Sequence, residues 1–209
     1  MTEPNHAIYL YPVWLRLWHW LQAALFLVLM VTGLRLHYSE LGWPFTFDTA
    51  IAVHNSAGIG LTVFWILFLI GNRLGDNARH YRIPWRELLP QLWQQVRWYG
   101  YGIFVGEPHP FHVTAERKLN VLQTLSYLGA MGFLMPLLIL SGWAFLFSIY
   151  LPPTLFGVGT IWIVAMVHLA TSWLLVLFLI VHLYMITTGD TPTTNLKAML
   201  TGWHRERGH

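Results

Sequence analysis

The sequence contains no cysteine. This absence excludes disulfide bonds, thiolate-held iron–sulfur clusters, catalytic thiols and the thioether attachment of c-type haem. Charge is also scarce, because charged residues make up 10% of the chain, compared with roughly 25% in ordinary soluble domains. Water is therefore not expected to be the main solvent of this protein. Any redox cofactor must be held by side chains other than cysteine.

Basic residues exceed acidic ones only slightly, 12 against 9, and they form no run of the kind that binds nucleic acid. We therefore expect no nucleic-acid partner. Hydrophobic residues are what the chain has in excess, at 56%, and they fall in long blocks. This pattern predicts an all-α integral membrane protein, a four-helix bundle in a lipid bilayer, with residues 1–209 forming one domain.

Four apolar stretches reach the length of about 20 residues that a helix needs to cross the bilayer core. The predicted helices cover residues 13–37, 49–71, 119–150 and 160–188. Pro152 and Pro153, followed by Gly157 and Gly159, predict the turn between the last two, and Pro136 is expected to kink the third. The first residues carry no basic segment, which favours a retained first helix over a cleaved signal peptide.

The basic residues also predict the orientation, since lysine and arginine near helix ends are retained on the cytoplasmic face. They lie mainly between helices 2 and 3 and after helix 4, and we expect both termini in the cytoplasm. The residues concerned are Arg73, Arg79, Arg82, Arg86, Arg97, Arg117, Lys118, Lys197, Arg205 and Arg207.

The connection between helices 2 and 3 is too long to be a simple turn. Its apolar residues recur at helical spacing from Trp85 to Val96, which predicts a helix lying in the membrane interface. Pro84 suits the first position of that helix, whereas Pro90 would bend its middle. A membrane-hugging loop is the alternative to a functional lid or a platform for a partner.

Four of the 11 histidines fall within the predicted spans: His19 on helix 1, His54 on helix 2, and His168 and His182 on helix 4. His54 and His168 lie near the outer ends of their helices, whereas His19 and His182 lie in the inner leaflet. The two histidines of helix 4 are about 21 Å apart along the axis and offset by only about 40°. The helix face that carries both histidines is largely apolar between them, where it contains Ser172, Leu175 and Leu179. The chain therefore offers one histidine pair at each depth.

Two imidazoles on facing helices suit the axial positions of a b-type haem, so two pairs predict two haems. We expect His54 and His168 to bind the outer haem iron, and His19 and His182 the inner one. Zinc is the competing metal, but it needs about four clustered ligands and each depth offers two. Haem propionates would pair with Arg35 outside and with Arg16 or Arg73 inside.

With these histidines placed, the chain resembles the cytochrome b membrane subunit of nickel–iron hydrogenases, formate dehydrogenases and thiosulfate reductases. The resemblance covers nearly the whole chain. It is carried by Arg16-Leu17-Trp18-His19-Trp20, Thr32-Gly33, His54-Asn55-Ser56-Ala57-Gly58, Lys118-Leu119-Asn120 with Gln123, Thr188-Gly189-Asp190-Thr191-Pro192 and Met199-Leu200-Thr201-Gly202.

The resemblance implies a subunit of the bacterial inner membrane that transfers electrons between the quinone pool and a periplasmic redox partner, an iron–sulfur or multihaem protein. It also implies a quinone site beside the inner haem, at Asn120 and Gln123. Family members often carry Gly-Lys-Tyr-Asn where this chain has Arg117-Lys118-Leu119-Asn120. Asn120 and Gln123 could instead cap helix 3 or bond another helix.

Two other functions stay open. One is a stand-alone cytochrome b561-like quinone oxidoreductase that uses a small diffusible redox substrate and the same four histidines. The other is a haem-free carrier whose membrane histidines relay protons, although it lacks the carboxylates such relays usually include. We expect no catalytic residue in this chain, since it shows no nucleophile beside a base and no paired buried carboxylates.

Overall fold

The computed structural model describes residues 7–111, 113, 114 and 116–205, so Arg207 lies outside the described residues. The chain packs as two compact units. The first unit comprises the described residues up to Tyr11, those of 75–136, and those from Thr171 onward; the second comprises residues 12–74 and 137–170. The prediction of a single domain stays a prediction.

Four long apolar helices are the main elements of the fold, and they confirm the all-α class and the four predicted spans. Helix α1 covers Val13–His37, α2 covers Phe47–Leu74, the third span covers Val121–Leu146, and α6 covers Thr160–Ile186. Their lengths of 25 to 28 residues exceed the roughly 20 that a bilayer core requires. The chain is therefore a multi-pass membrane protein.

The third span begins two residues later and ends four residues earlier than predicted. It consists of α4 (Val121–Gly129), a π-helical turn (Ala130–Leu134) and α5 (Met135–Leu146). Residues 148–150 form a separate 3-10 turn, because the backbone leaves the helical region at Phe147. The late start has its own cause, a side-chain cap at Asn120.

Pro136 follows directly after the π-helical turn. A proline inside a helix has no N–H to donate and its ring clashes with the carbonyl one turn earlier. The wider π-helical turn over Ala130–Leu134 fits this loss, and the N–H of Met135 bonds the Ala130 carbonyl instead. The structure thus shows a π-helical turn next to Pro136, and the predicted kink of the third span stays a prediction.

The connection between the last two spans is a short β-hairpin, where the prolines and glycines predicted a turn but no strands. Strand β2 (Thr154–Leu155) pairs antiparallel with β3 (Val158–Gly159). Its two central residues, Phe156 and Gly157, have φ angles of 53° and 77°. Two consecutive positive φ angles are what a tight hairpin turn of the right twist requires.

The long connection after α2 contains the predicted helix, α3 (Leu88–Gly100), between 3-10 turns at Asp76–Tyr81 and Gly102–Val105. Its start was predicted wrongly at Pro84. The helix begins at Leu88, so Pro90 lies in the first turn, where the missing N–H has no helical partner to lose. Leu89, Trp93 and Val96 expose an apolar face, as an interfacial helix does.

The two ends of the described chain are joined to each other. Strand β1 (Ala7–Tyr9) pairs antiparallel with β4 (Trp203–Arg205), directly after the short helix α7 (Thr194–Thr201). Gly202 ends α7 in the left-handed conformation, and its carbonyl accepts the N–H groups of Leu10 and Tyr11. Neither α7 nor the strand pair was predicted, although Gly202 is a usual helix-ending residue.

We predict that Gly202→Ala destabilises the protein strongly. A Cβ at position 202 would lie 2.6 Å from a ring carbon of Tyr9 and 2.8 Å from the carbonyl oxygen of Tyr11, at a φ of 90°. The loss of unfolding free energy should be on the order of 3 kcal/mol. It is measured as a lowered midpoint of thermal unfolding in detergent.

Gly106→Ala is the matched control, because Gly106 also has a positive φ of 75° but open space where the Cβ would lie. It should cost only the conformational strain, about 1–2 kcal/mol. Equal effects of the two substitutions would show that the contact of Gly202 with Tyr9 and Tyr11 contributes nothing.

Candidate functional site

The imidazoles of His54 and His168 face each other in the second unit. Their ring centres are 6.3 Å apart and their planes cross at 67°. His54 is the eighth residue of α2 and His168 the ninth of α6, so each lies about 10–12 Å along the axis from its helix start. The structure thus brings together the two residues predicted for the outer pair.

The separation of these rings fits a metal ion between them. Imidazole–metal bonds are about 2 Å long, as zinc sites show, so two imidazoles on opposite sides of one ion have ring centres about 6 Å apart. No group of three or more metal-binding side chains occurs among the described residues. A site with only two protein ligands suits haem, whose porphyrin supplies the other four, better than zinc.

Each of the two rings is bonded by a hydroxyl group from a neighbouring helix. The Oγ1 of Thr32, on α1, lies 2.9 Å from His54 Nδ1. The Oγ of Ser141, on α5, lies 2.9 Å from His168 Nδ1. Both hydroxyl residues are buried, with 5% and 6% of their surface exposed. The two histidines therefore have the same kind of partner at the same ring atom.

The hydroxyls determine which ring nitrogen carries the proton. Thr32 also lies 2.8 Å from the Val28 carbonyl oxygen, and Ser141 lies 2.7 Å from that of Leu137. A carbonyl can only accept, so each hydroxyl gives its single proton to the carbonyl. It must then accept from the histidine, which places the proton on Nδ1. The lone pair is left on Nε2, the nitrogen that a metal would bind.

A glycine follows each hydroxyl residue and lies against the same ring. A Cβ on Gly33 would lie 3.4 Å from Cε1 of His54, and one on Gly142 would lie 3.6 Å from Cε1 of His168. A side chain larger than a methyl group would occupy the place of the ring. An aromatic ring, that of Phe145, also lies edge-on to His168 at 5.7 Å.

Arg35, a predicted propionate partner, bonds the connection between α1 and α2. Its Nε donates to the Phe45 carbonyl at 3.4 Å and an Nη donates to that of Ser39 at 3.2 Å. The guanidinium also lies 5.5 Å from the centre of the Phe47 ring. These contacts account for an arginine at this end of α1 without a haem. The pairing of Arg35 with a haem propionate stays a prediction.

The predicted inner pair is divided between the two units. His19 lies on α1 in the second unit, three residues after the half-buried Arg16, and His182 lies on α6 in the first unit. The ring of His182 stacks on Phe178 at 5.9 Å, and Tyr127 stands edge-on to it at 6.1 Å. Leu175, on the helix face predicted to carry both histidines of α6, is 2% exposed. The pairing of His19 with His182, and the role of Arg16, stay predictions.

Gln22 on α1 is a buried amide that the sequence analysis did not select. It is 7% exposed, and neither atom of its amide has a hydrogen-bond partner among the described residues. An unsatisfied buried polar group costs about 1–3 kcal/mol, so a polar group outside the described chain is expected to bond it. Gln22 lies one helical turn after His19, so both side chains are on the same face of α1, and this face is a candidate part of a binding site.

Asn120 and Gln123, predicted as quinone contacts, form a capping box at the start of α4. Asn120 Oδ1 accepts the N–H of Gln123 at 2.9 Å, and Gln123 Oε1 accepts the N–H of Asn120 at 3.0 Å. Asn120 Nδ2 also donates to the Tyr99 hydroxyl at 3.2 Å, and Asn120 is 1% exposed. The structure therefore shows both alternatives, the cap and the bond to another helix.

Lys118 is a buried cation in the first unit, and 5% of it is exposed. Its Nζ donates to the side-chain oxygen of Asn77 and lies 5.2 Å from the centre of the Tyr11 ring. Burial, and to a smaller extent the charge of Arg79, lowers the pKa of Lys118 to about 8. Burial also raises the pKa of Tyr11 to about 12. A lysine this deep was not expected from the sequence.

Three residues with roles at these sites were missed. In the sequence Thr32 and Lys118 belong to the motifs that carry the family resemblance, Lys118 also indicates the cytoplasmic side, and Ser141 belongs to no predicted site. One signal could have identified Thr32 and Ser141, because Thr32-Gly33 and Ser141-Gly142 are both hydroxyl–glycine pairs near the outer end of a span. Nothing in the sequence marks Lys118 as buried.

Comparison with known proteins places the chain among membrane cytochromes. Residues 10–202 match the family model described as prokaryotic cytochrome b561. The chain is also 38% identical over 204 residues to the Escherichia coli protein named "Putative cytochrome YdhU", covering 98% of this chain and 77% of that one. The family resemblance predicted from the sequence is thereby confirmed.

We predict that Lys118→Met alters how stability depends on pH. Below pH 8 the lysine is charged in the folded and the unfolded protein, and the folded state bears the cost of burying that charge. Between pH 8 and the ordinary pKa of 10.5 the unfolded chain binds more protons than the folded one, so stability rises with pH. The wild type should gain up to about 3 kcal/mol relative to the variant across this window.

The measurement is the thermal midpoint of both proteins in detergent at pH 7.5, 9 and 10.5. Lys197→Met, which removes an exposed lysine, serves as the control and should follow the wild type. Parallel pH curves for the wild type and Lys118→Met would contradict the burial of a charged amine.

Proposed function

The chain belongs to the prokaryotic cytochrome b561 family of membrane electron-transfer proteins, and on that premise we propose that it transfers electrons between membrane quinone and a periplasmic redox partner. The observation that carries this proposal is the His54–His168 pair, whose ring centres lie 6.3 Å apart and whose Nδ1 atoms are each bonded by a hydroxyl group. A membrane-embedded pair of neutral imidazoles on separate helices is a typical bis-histidine haem site.

Four histidines would hold two b-type haems. His54 and His168 would bind the outer iron, and His19 and His182 the inner iron. Bound haem supplies an iron that accepts and releases one electron at a time. The protein contributes the ligands, the apolar surroundings and the spacing, since His168 and His182 are about 21 Å apart along one helix. That distance supports one site in each leaflet.

Both termini are proposed to face the cytoplasm of a bacterial inner membrane. The pairing of β1 with β4 supports a common side for the two ends of the described chain. The basic residues concentrated between Leu74 and Val121 support the cytoplasm as that side, because lysine and arginine near spans are retained there. His54 and His168 would then lie toward the periplasm, where the redox partner is expected.

The partner is proposed to be an iron–sulfur or multihaem protein, as the resemblance of this chain to the membrane subunits of hydrogenases, formate dehydrogenases and thiosulfate reductases implies. A stand-alone quinone oxidoreductase with a small diffusible substrate is the outcome that would replace this proposal. Activity of the purified single chain with such a substrate, and no periplasmic protein copurifying, would establish it.

The first prediction from this proposal concerns haem content. A pyridine haemochrome assay on the purified protein should give two b-type haems per chain. His54→Ala and His168→Ala should each remove one and the same haem, recognised by its midpoint potential, because each leaves one axial ligand. His19→Ala and His182→Ala should both remove the other.

His37→Ala, at the end of α1 and outside both pairs, is the control and should retain both haems. A wild-type protein without haem would end the proposal. Loss of the same haem from His19→Ala and His54→Ala would refute the pairing.

The second prediction separates the structural role of Asn120 from a quinone contact. Asn120→Ala should lower stability by about 1 kcal/mol, because it removes the cap of α4. Asn120→Ser retains a capping oxygen but loses the amide nitrogen that now bonds Tyr99. If Asn120 binds quinone, Asn120→Ser should be more stable than Asn120→Ala, because it keeps the cap, and should show a raised KM for a soluble quinone analogue.

An unchanged KM in Asn120→Ser would limit Asn120 to its capping role. It would leave the haem assignment untouched, since that assignment depends on other residues.

A further inference from the structure

The hydroxyls of Thr32 and Ser141 are the most regular feature of the site that its proposed function does not yet use. Each is the fifth residue before the end of its helix, His37 for α1 and Leu146 for α5. Each lies 2.9 Å from a histidine Nδ1 and is followed by a glycine in contact with the same ring. The same arrangement thus occurs twice, once for each imidazole.

We propose that Thr32 and Ser141 are positioning residues of the outer haem, which direct Nε2 of both ligands toward the iron and set its midpoint potential through the Nδ1 hydrogen bonds. This inference rests on the proposed function, since it requires a haem between His54 and His168. Neither hydroxyl is a ligand. Each acts through the imidazole that it bonds.

The first step of the argument is the direction of the hydrogen bonds. Thr32 Oγ1 is within 2.8 Å of the Val28 carbonyl and 3.3 Å of the Leu29 carbonyl, and Ser141 Oγ is within 2.7 Å and 3.0 Å of those of Leu137 and Leu138. The hydroxyl proton is thereby committed to the helix backbone. The opposite histidine tautomer would leave Nδ1 without a donor, which is costly in a buried site.

The second step concerns the strength of the acceptor. An acceptor on Nδ1–H makes the imidazole a more basic metal ligand, and a more basic ligand favours the ferric over the ferrous state. A hydroxyl oxygen is a neutral and moderate acceptor. A carboxylate would be stronger but would bring a charge into the membrane-spanning segment, where charges are costly. Both hydroxyls would therefore make their histidine a more basic ligand and lower the midpoint potential of the haem.

The third step concerns orientation. Gly33 and Gly142 let the rings lie directly against α1 and α5, at 3.4 and 3.6 Å from where a Cβ would stand. The hydroxyl bonds Nδ1, and the glycine leaves room for Cε1. Rotation of the ring about its bond to Cβ would therefore break the hydrogen bond or move Cε1 away from the glycine. Because Nδ1 is held by the hydroxyl, Nε2, on the far side of Cε1 in the ring, is directed away from that hydroxyl.

The experiment compares Thr32→Val, which is nearly isosteric, Ser141→Ala and the double variant with the wild type. Haem content is measured by the haemochrome assay, and both midpoint potentials by redox titration of the purified protein. The outer haem should shift to a higher potential in each single variant and further in the double variant. The inner haem should not shift. Thr32→Ser and Ser141→Thr retain the hydroxyl and should restore the wild-type potential.

Ser56→Ala is the matched control. Ser56 lies on α2 two residues after His54, and its hydroxyl donates to the Ala52 carbonyl at 2.8 Å, as those of Thr32 and Ser141 donate to carbonyls of their own helices. It should leave both potentials unchanged. A similar shift in Ser56→Ala would show that loss of any hydroxyl near this site has the effect, which would overturn the proposal.

The outcomes separate this inference from the proposed function. If the wild type contains no haem that depends on His54 and His168, the proposed function fails. If Thr32→Val and Ser141→Ala retain that haem at an unchanged potential, only the present inference fails. If Thr32→Val loses the haem while Thr32→Ser keeps it, the hydroxyl is required and the inference is supported. Loss in both variants would overturn it.

Discussion

The N–H of a neutral imidazole inside an apolar helix must have an acceptor, because lipid offers none. In this chain the acceptor for His54 is the Thr32 hydroxyl, and the one for His168 is that of Ser141. Each hydroxyl is in turn tied to a carbonyl of its own helix. The position of each ring therefore depends on the regular backbone of a second helix. The direction of Nε2, the nitrogen proposed to bind iron, depends in turn on the ring.

In the first unit too, two buried polar side chains have hydrogen-bond partners, although the groups involved are different. Its buried lysine, Lys118, has an amide oxygen and an aromatic ring as partners, and no carboxylate among the described residues bonds it. Asn120 uses both ends of its amide, one on the helix start and one on Tyr99. The partners of these two buried groups are thus an amide, a hydroxyl and an aromatic ring, which introduce no negative charge that would have to be buried as well.

The long elements were predictable because hydrophobicity over some 20 residues is a strong signal, and α1 and α6 begin at the expected residues, Val13 and Thr160. The pairing of His54 with His168 was also predictable, because histidines are rare in membrane-spanning helices and these two lie at the same predicted depth. The start of α3 was not, since two prolines compete for one position and local sequence does not decide between them. The strand pair β1–β4 was not either, because it joins residues nearly 200 apart and depends on tertiary contacts.

The residues that carry the family resemblance divide by physical role once the contacts are known. His54 is a candidate ligand, Thr32 bonds it, and Gly33 makes room for it. Asn120 and Gln123 begin a helix, and Gly202 accommodates the Tyr9 ring at the end of another. A motif match alone cannot distinguish these roles, since all the residues are equally part of the pattern. Only the partner of each side chain separates those that would contact a cofactor from those that hold the fold around it.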